Sequence, residues 1–259
     1  MARRSPSQTQ VTKKRRRLTK SGEVEYDPIA ESQLKNSKQV QKALHFPDKI
    51  NFHPKTEPQR QMALSWVEDM NIAAIGSAGT GKTFCAMSLA LQSLIDGEVE
   101  KIVIVRSTVQ VRNFGFVPGD LNQKIEPFIA PYKAIVNEIM CNGMAWEILN
   151  KKGMIEFIPT TFLRGITIRN SVVILDEFQD TDFSECETLI TRVGENSKLI
   201  LIGDMKQSDL HRYKESSGYH EVLRTLEKMP KYFDIVNFLP QDCIRSGLVK
   251  EWLLIREEM

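Results

Sequence analysis

Residues 76–83 read Gly-Ser-Ala-Gly-Thr-Gly-Lys-Thr, between a short apolar run, Ile72-Ala73-Ala74-Ile75, and a helical stretch, Thr83–Ile95. Strand, glycine-rich loop and helix in that order constrain a chain more than composition does. The segment satisfies GxxxxGK[ST] in the setting the pattern requires. Gly76, Gly79 and Gly81 let the backbone curl, so that the N–H groups of the loop, including those of Ser77, Ala78 and Thr80, aim inward at phosphate oxygens. The helix start adds partial positive charge at the same place. Lys82 carries a full charge to β- and γ-phosphates, and Thr83 offers a hydroxyl to Mg²⁺. The bland alternative, a glycine-rich turn before a lysine, does not account for eight matching positions with the right flanks.

A second apolar run, Val172-Val173-Ile174-Leu175, ends in Asp176-Glu177. The carboxyl end of a buried strand opens at the ligand edge of an α/β sheet. There Asp176 would join the Mg²⁺ shell, and Glu177 would orient and deprotonate an attacking water. Side chains alternate along a strand, so the two neighbours point differently, as two roles require. A third run, Leu199–Ile202, leads into Gly203-Asp204-Met205-Lys206-Gln207. Gln207 can hydrogen-bond a γ-phosphate or a water, and Asp204 can fix the loop. Upstream, Gln59 has an amide that donates and accepts at once, which matches the N6/N7 edge of adenine. A surface glutamine at a helix start is the competing reading.

The net charge of +2 conceals eight basic and no acidic residues in 1–20, which leaves −6 for residues 21–259. Such a block self-repels and is expected to be disordered. It reads either as a phosphate-attracting arm or as a solvated tail. Residues 1–51 are taken as tail and linker, and 52–259 as the folded domain. Hydrophobic residues make up 41%, enough for a core, which excludes a wholly disordered chain. No apolar run approaches the ~20 residues that span a bilayer. Four scattered cysteines without a CxxC pair argue against a zinc or disulfide scaffold and read as buried small hydrophobes in a reducing compartment.

Further apolar runs at Ile102–Val105, Ile155–Ile158 and Phe233–Phe238 alternate with helical stretches at 131–150, 185–193 and 219–229. A helix is also expected from Gln59 to Met70. Continuous apolar strands alternating with helices predict an α/β fold, a parallel sheet covered on both faces. Residues 106–171 form an insert longer than an ordinary crossover. In it Phe114 and Phe116 could stack bases, while Arg106, Arg112 and Arg164 could meet phosphates, as a single-strand site requires. Core phenylalanines and surface arginines are the competing reading.

Together these segments resemble the PhoH family of P-loop ATPases, relatives of the superfamily 1 helicases. The resemblance lies in GSAGTGKT (76–83), VILDEFQD (173–180), TRVGENSKLILIGDMKQSDL (191–210), GFVPGDL (115–121) and Phe162-Leu163-Arg164-Gly165, and spans about residues 52–250. The family usually has alanine at the position of Phe178, asparagine at that of Asp180 and arginine at that of Ile166. The resemblance implies a RecA-like core. Its five main strands, numbered along the chain, would stand in the order 5-1-4-3-2. It also implies a homo-oligomeric ring, a hexamer favoured, with ATP at subunit boundaries. An arginine from the next subunit would reach the γ-phosphate; Arg245 sits where the family's late arginine sits, and Arg192 is the second candidate. A bacterial or bacteriophage origin and a cytoplasmic location follow from the same resemblance. Larger family members carry a PIN-type ribonuclease domain. The polar residues ahead of the body are too few for one, so no nuclease activity is expected.

The expected function is therefore hydrolysis of ATP with Mg²⁺, coupled to single-stranded nucleic acid, RNA rather than DNA. Two rivals stay open: a P-loop kinase of a small metabolite, and a nucleotide-gated scaffold with little turnover. No membrane association is expected.

Overall fold

The computed structural model describes residues 47–107, 121–204 and 218–258, together with two short strands, Arg17–Leu18 and Val24–Glu25, paired antiparallel. Gln207, Arg112, Phe114, Phe116 and most of the basic tail lie outside the described residues.

Six strands form one sheet: β1 (Asn71–Gly76), β2 (Lys101–Arg106), β3 (Ile155–Pro159), β4 (Ser171–Asp176), β5 (Lys198–Gly203) and β6 (Phe233–Phe238). Every neighbouring pair is parallel, and the order is β3-β2-β4-β5-β1-β6. The five main strands stand in the expected order, and Ile155–Pro159 adds an edge strand beside β2. Seven helices of more than one turn are described: α1 (Glu57–Val67), α2 (Lys82–Ile95), α3 (Leu121–Ile139), α4 (Ala145–Lys151), α5 (Phe183–Arg192), α6 (Tyr219–Glu227) and α7 (Gly247–Glu258).

Alternation along the strands builds a core on each face. Ile72, Ala74, Ile104, Ile174, Ile200 and Val236 point to the side of α1, α2, α3 and α4. Ala73, Val103, Val173, Leu175 and Leu201 point to the side of α5 and α6. Burial on both sides explains why these strands read as unbroken apolar runs.

Several boundaries differ from the sequence expectations. The core begins at Ile50, which is buried and whose N–H donates to Gln92 Oε1 at 2.8 Å, so the body starts ahead of Phe52. The helix expected over 131–150 is two helices, α3 and α4. Pro127 and Pro131 lie inside α3. The break between the two falls at Cys141, φ 49°, where Asn137 ties the turn by donating to Gly143 O and accepting from Trp146 N–H. Cys141 is exposed, unlike the other three cysteines, because it sits at this break.

The register brings chemistry to one edge. Gly76 pairs with Phe238, Ile75 with Gly203, and Asp176 with Arg106. The carboxyl ends of β1, β2, β4, β5 and β6 therefore share one rim of the sheet, where α/β folds bind ligands.

Candidate nucleotide site

The loop after β1 owes its curl to glycine. Gly76 has φ 117° and Gly81, the residue before α2, has φ 84°, values that side-chain-bearing residues rarely adopt. At Gly76 a β-carbon would stand 1.9 Å from Phe238 O, so β6 approaches as only glycine permits. Ser77 N–H donates to the same carbonyl at 2.9 Å. Thr80 Oγ1 donates to Ser77 O at 2.8 Å and closes the loop on itself.

Lys82 is buried, and its Nζ donates to Gly76 O and Ser77 O, each at 2.7 Å. Burial pushes its pKa below the ordinary range, against the pull of the Asp204, Glu177 and Asp176 carboxylates. Thr83 Oγ1 lies 3.3 Å from Asp176 Oδ2 and 3.4 Å from Oδ1. The loop's last residue and the acidic strand end thus meet.

Asp176 is buried at the tip of β4. Its Oδ2 accepts from the Tyr132 hydroxyl at 2.8 Å, and its Oδ1 from Glu177 N–H at 3.0 Å. Burial, then the Glu177 charge, raise its pKa to about 6, against these hydrogen bonds and Arg106. Glu177 holds φ 54° and ψ 44°, a left-handed conformation that costs a non-glycine residue about 1 kcal/mol. Gln179 steadies it, donating from Nε2 to Glu177 Oε2 while its Oε1 accepts from Asp204 N–H at 2.9 Å. One amide thereby links the acidic strand to the end of β5. Phe178 is fully buried and stacks on Tyr219 with centroids 4.7 Å apart. Its ring fits because residue 203 is glycine, whose missing β-carbon would stand 2.6 Å from it.

Gln59 is buried against the loop, but its amide is already engaged. Nε2 donates to Thr80 O at 2.9 Å, and Oε1 accepts from Lys55 N–H at 2.8 Å. In this arrangement it braces the loop. The segment after β6 closes the other side: Ile244 N–H donates to Gly79 O at 3.1 Å. Arg245 lies on its own chain's loop, its Cγ 3.1 Å from where a Gly79 β-carbon would be. Arg192 ends α5, a helix that begins just past the tip of β4 and leads back toward the start of β5. Its residue is therefore at the sheet edge opposite this loop.

Arg106 departs from its expected role. It ends β2 opposite Asp176, and its guanidinium lies 5.6 Å from the Phe128 ring centroid. Burial opposes its charge, yet Tyr132, Asp176 and Glu177 outweigh burial and raise its pKa. It belongs to the acidic cluster because the sheet order sets β2 beside β4. Arg164 and Phe162 remain exposed, in the segment that follows β3. Sequence reasoning missed Tyr132 and Gln179. Gln179 lies three residues past Asp176, close enough for a motif-based reading to include. Tyr132 carries no motif.

This is the site of a P-loop nucleotide-binding protein. Within that class the comparison is specific: the PhoH-like protein family model matches residues 51–257, and the chain belongs to that family. It is 37% identical over 197 residues to a PhoH-like protein of Synechocystis, covering 76% of this chain and 59% of that protein. It is 35% identical to Protein PhoH of Escherichia coli K12, over 70% of this chain and 51% of that one. A PhoH-like protein of Bacillus subtilis is 33% identical over 75% and 60%. The chain thus spans between about half and three-fifths of the length of these relatives.

Proposed function

We propose that the protein binds ATP with Mg²⁺ on residues 76–83 and hydrolyses it, with turnover coupled to single-stranded nucleic acid, RNA favoured. The observation that carries this reading is the meeting of Thr83 with Asp176 beside a buried Lys82. A hydroxyl and carboxylates are the hard oxygen donors Mg²⁺ prefers, and a site with few protein ligands suits an ion that keeps phosphates and waters. Thr83 and Asp176 would hold the ion, which when bound supplies charge neutralisation at the phosphates.

The side chains divide the remaining work. Lys82 exchanges its two carbonyl partners for phosphate oxygens, which better compensate a buried cation. The N–H groups of the loop and of the start of α2 face the same oxygens. Glu177 orients a water for in-line attack and accepts its proton. Arg245, anchored by its Cγ beside Gly79 and exposed beyond it, is the arginine that meets developing charge on a γ-phosphate, that of the next subunit in a ring. Gln207, outside the described residues, is the proposed γ-phosphate sensor.

Support for nucleic-acid coupling lies past the tip of β3. Phe162 is 53% exposed and stands two residues from exposed Arg164, an aromatic face beside a phosphate partner. The basic residues of 1–20 add long-range attraction. A ring of identical subunits, a hexamer favoured, is the assembly the family resemblance implies. Unpaired cysteines among the described residues suit a reducing cytoplasm. No helix among the described residues is long and apolar enough to cross a membrane.

The test is phosphate release from ATP and Mg²⁺ without an acceptor, with and without single-stranded RNA or DNA, on protein of measured oligomeric mass. Release stimulated by RNA supports the proposal. Release only with an added metabolite indicates a kinase, and tight binding without release indicates a scaffold.

A further inference from the structure

Besides the Thr83 hydroxyl, which reaches both oxygens, Asp176 has one donor on each oxygen, and these two come from different parts of the chain. Oδ1 takes the N–H of its neighbour Glu177; Oδ2 takes the hydroxyl of Tyr132, 44 residues upstream. With each oxygen held separately, the carboxylate plane is fixed, and Thr83 Oγ1 lies within 3.4 Å of both oxygens. Tyr132 is 1% exposed. A phenol hydroxyl facing a carboxylate oxygen at 2.8 Å is the donor of the pair.

Tyr132 sits on α3, within the long insert between β2 and β4. Phe128, one turn earlier on the same helix face, lies under the Arg106 guanidinium at 5.6 Å. Two aromatic side chains spaced i, i+4 thus touch the tips of two adjacent strands, one through a cation and one through the carboxylate.

We propose that Tyr132 is a positioning residue for Asp176, setting the orientation in which this carboxylate meets Mg²⁺ and tying that orientation to the placement of α3. The proposal deepens the nucleotide-site reading above and rests on it. Hydrogen bonds that orient a metal ligand typically govern 10–100-fold of metal affinity. The hydroxyl adds this to the packing of the ring, which lies 6.0 Å from Phe157 by centroids.

Tyr132→Phe keeps the ring and removes the hydroxyl. The experiment measures ATP affinity of the full chain by calorimetry across a Mg²⁺ titration, with EDTA as the metal-free point. Tyr132→Phe is expected to match wild type in EDTA and to need about 10-fold more Mg²⁺ for half-maximal tightening. Phe157→Leu disturbs the ring's packing and spares the hydroxyl. It is expected to lower Tm and to leave the Mg²⁺ midpoint within about twofold of wild type. An unchanged midpoint in Tyr132→Phe overturns the proposal. So does an equal shift in Phe157→Leu, which would make the effect one of packing. If wild type itself shows no Mg²⁺-dependent ATP binding, the nucleotide-site reading fails first, and this one with it.

Discussion

Arg245 rests on Gly79 of its own chain, with its Cγ 3.1 Å from the place a β-carbon would take on that glycine. The neighbouring Ile244 N–H is hydrogen-bonded to Gly79 O at 3.1 Å, so the contact is anchored by backbone. The side chain is exposed, so from this anchor the guanidinium can serve the nucleotide of its own chain or, as the family resemblance suggested, that of a neighbouring subunit.

Arg245→Ala should lower phosphate release by about 10²–10³-fold if this side chain meets developing charge on the γ-phosphate. Mixing Arg245→Ala chains with Lys82→Ala chains separates the two geometries. An arginine serving the neighbouring subunit's nucleotide predicts partial recovery of turnover in verified mixed assemblies. No recovery would assign the arginine to the nucleotide of its own chain.

Asp176 should be a source of instability at neutral pH. Burial and Glu177 lift its pKa from 3.8 to about 6. Between these values the native state holds a proton that the unfolded chain has lost, so native stability falls as pH rises through this window. The cost is absent below about pH 4, about half present at pH 5, and complete above about pH 6, where it reaches ~3 kcal/mol. Asp176→Asn should accordingly unfold at higher denaturant than wild type at pH 7.5. That advantage should shrink at pH 5 and vanish near pH 4, while turnover is lost at every pH. A variant less stable than wild type at pH 7.5 would contradict this.

Phe162→Ala should weaken binding of single-stranded RNA by about 1–3 kcal/mol, the worth of one base stacked on an aromatic ring. Arg164→Ala should weaken it less and reduce the slope of log affinity against log salt by about 1. Both residues are exposed, so neither change should move Tm by more than a degree or two. Fluorescence anisotropy with a labelled oligonucleotide reads both effects. Unchanged affinity in the double variant would remove this surface from the nucleic-acid path.

The parts of the site that could be read in the sequence are those whose chemistry needs contiguous residues. A phosphate loop must be glycines, lysine and threonine in a row, and an acidic strand end must follow an apolar run. A parallel sheet covered on both faces was legible because burial on both sides leaves unbroken apolar stretches. Contacts set by tertiary packing were not legible. Arg106 reads as a phosphate contact in a basic, aromatic stretch, and only the pairing of β2 with β4 turns it toward Asp176. Tyr132 is one aromatic in a helix, and nothing local marks the carboxylate it will meet. Gln59 was found by position, but its two amide hydrogen bonds depend on how α1 abuts the loop. The split of α3 from α4 was missed because an apolar pattern continues across a turn held by Asn137.

Glu177 is the residue proposed to carry hydrolysis, as distinct from binding; it holds a left-handed conformation and accepts from Gln179. The decisive measurement is ATP binding and phosphate release by Glu177→Gln, side by side with wild type and Mg²⁺. The account predicts ATP bound at least as tightly as in wild type and release slowed by about 10²–10⁴-fold, the usual worth of a general base. Release at the wild-type rate, or loss of binding equal to that of Lys82→Ala, would contradict it.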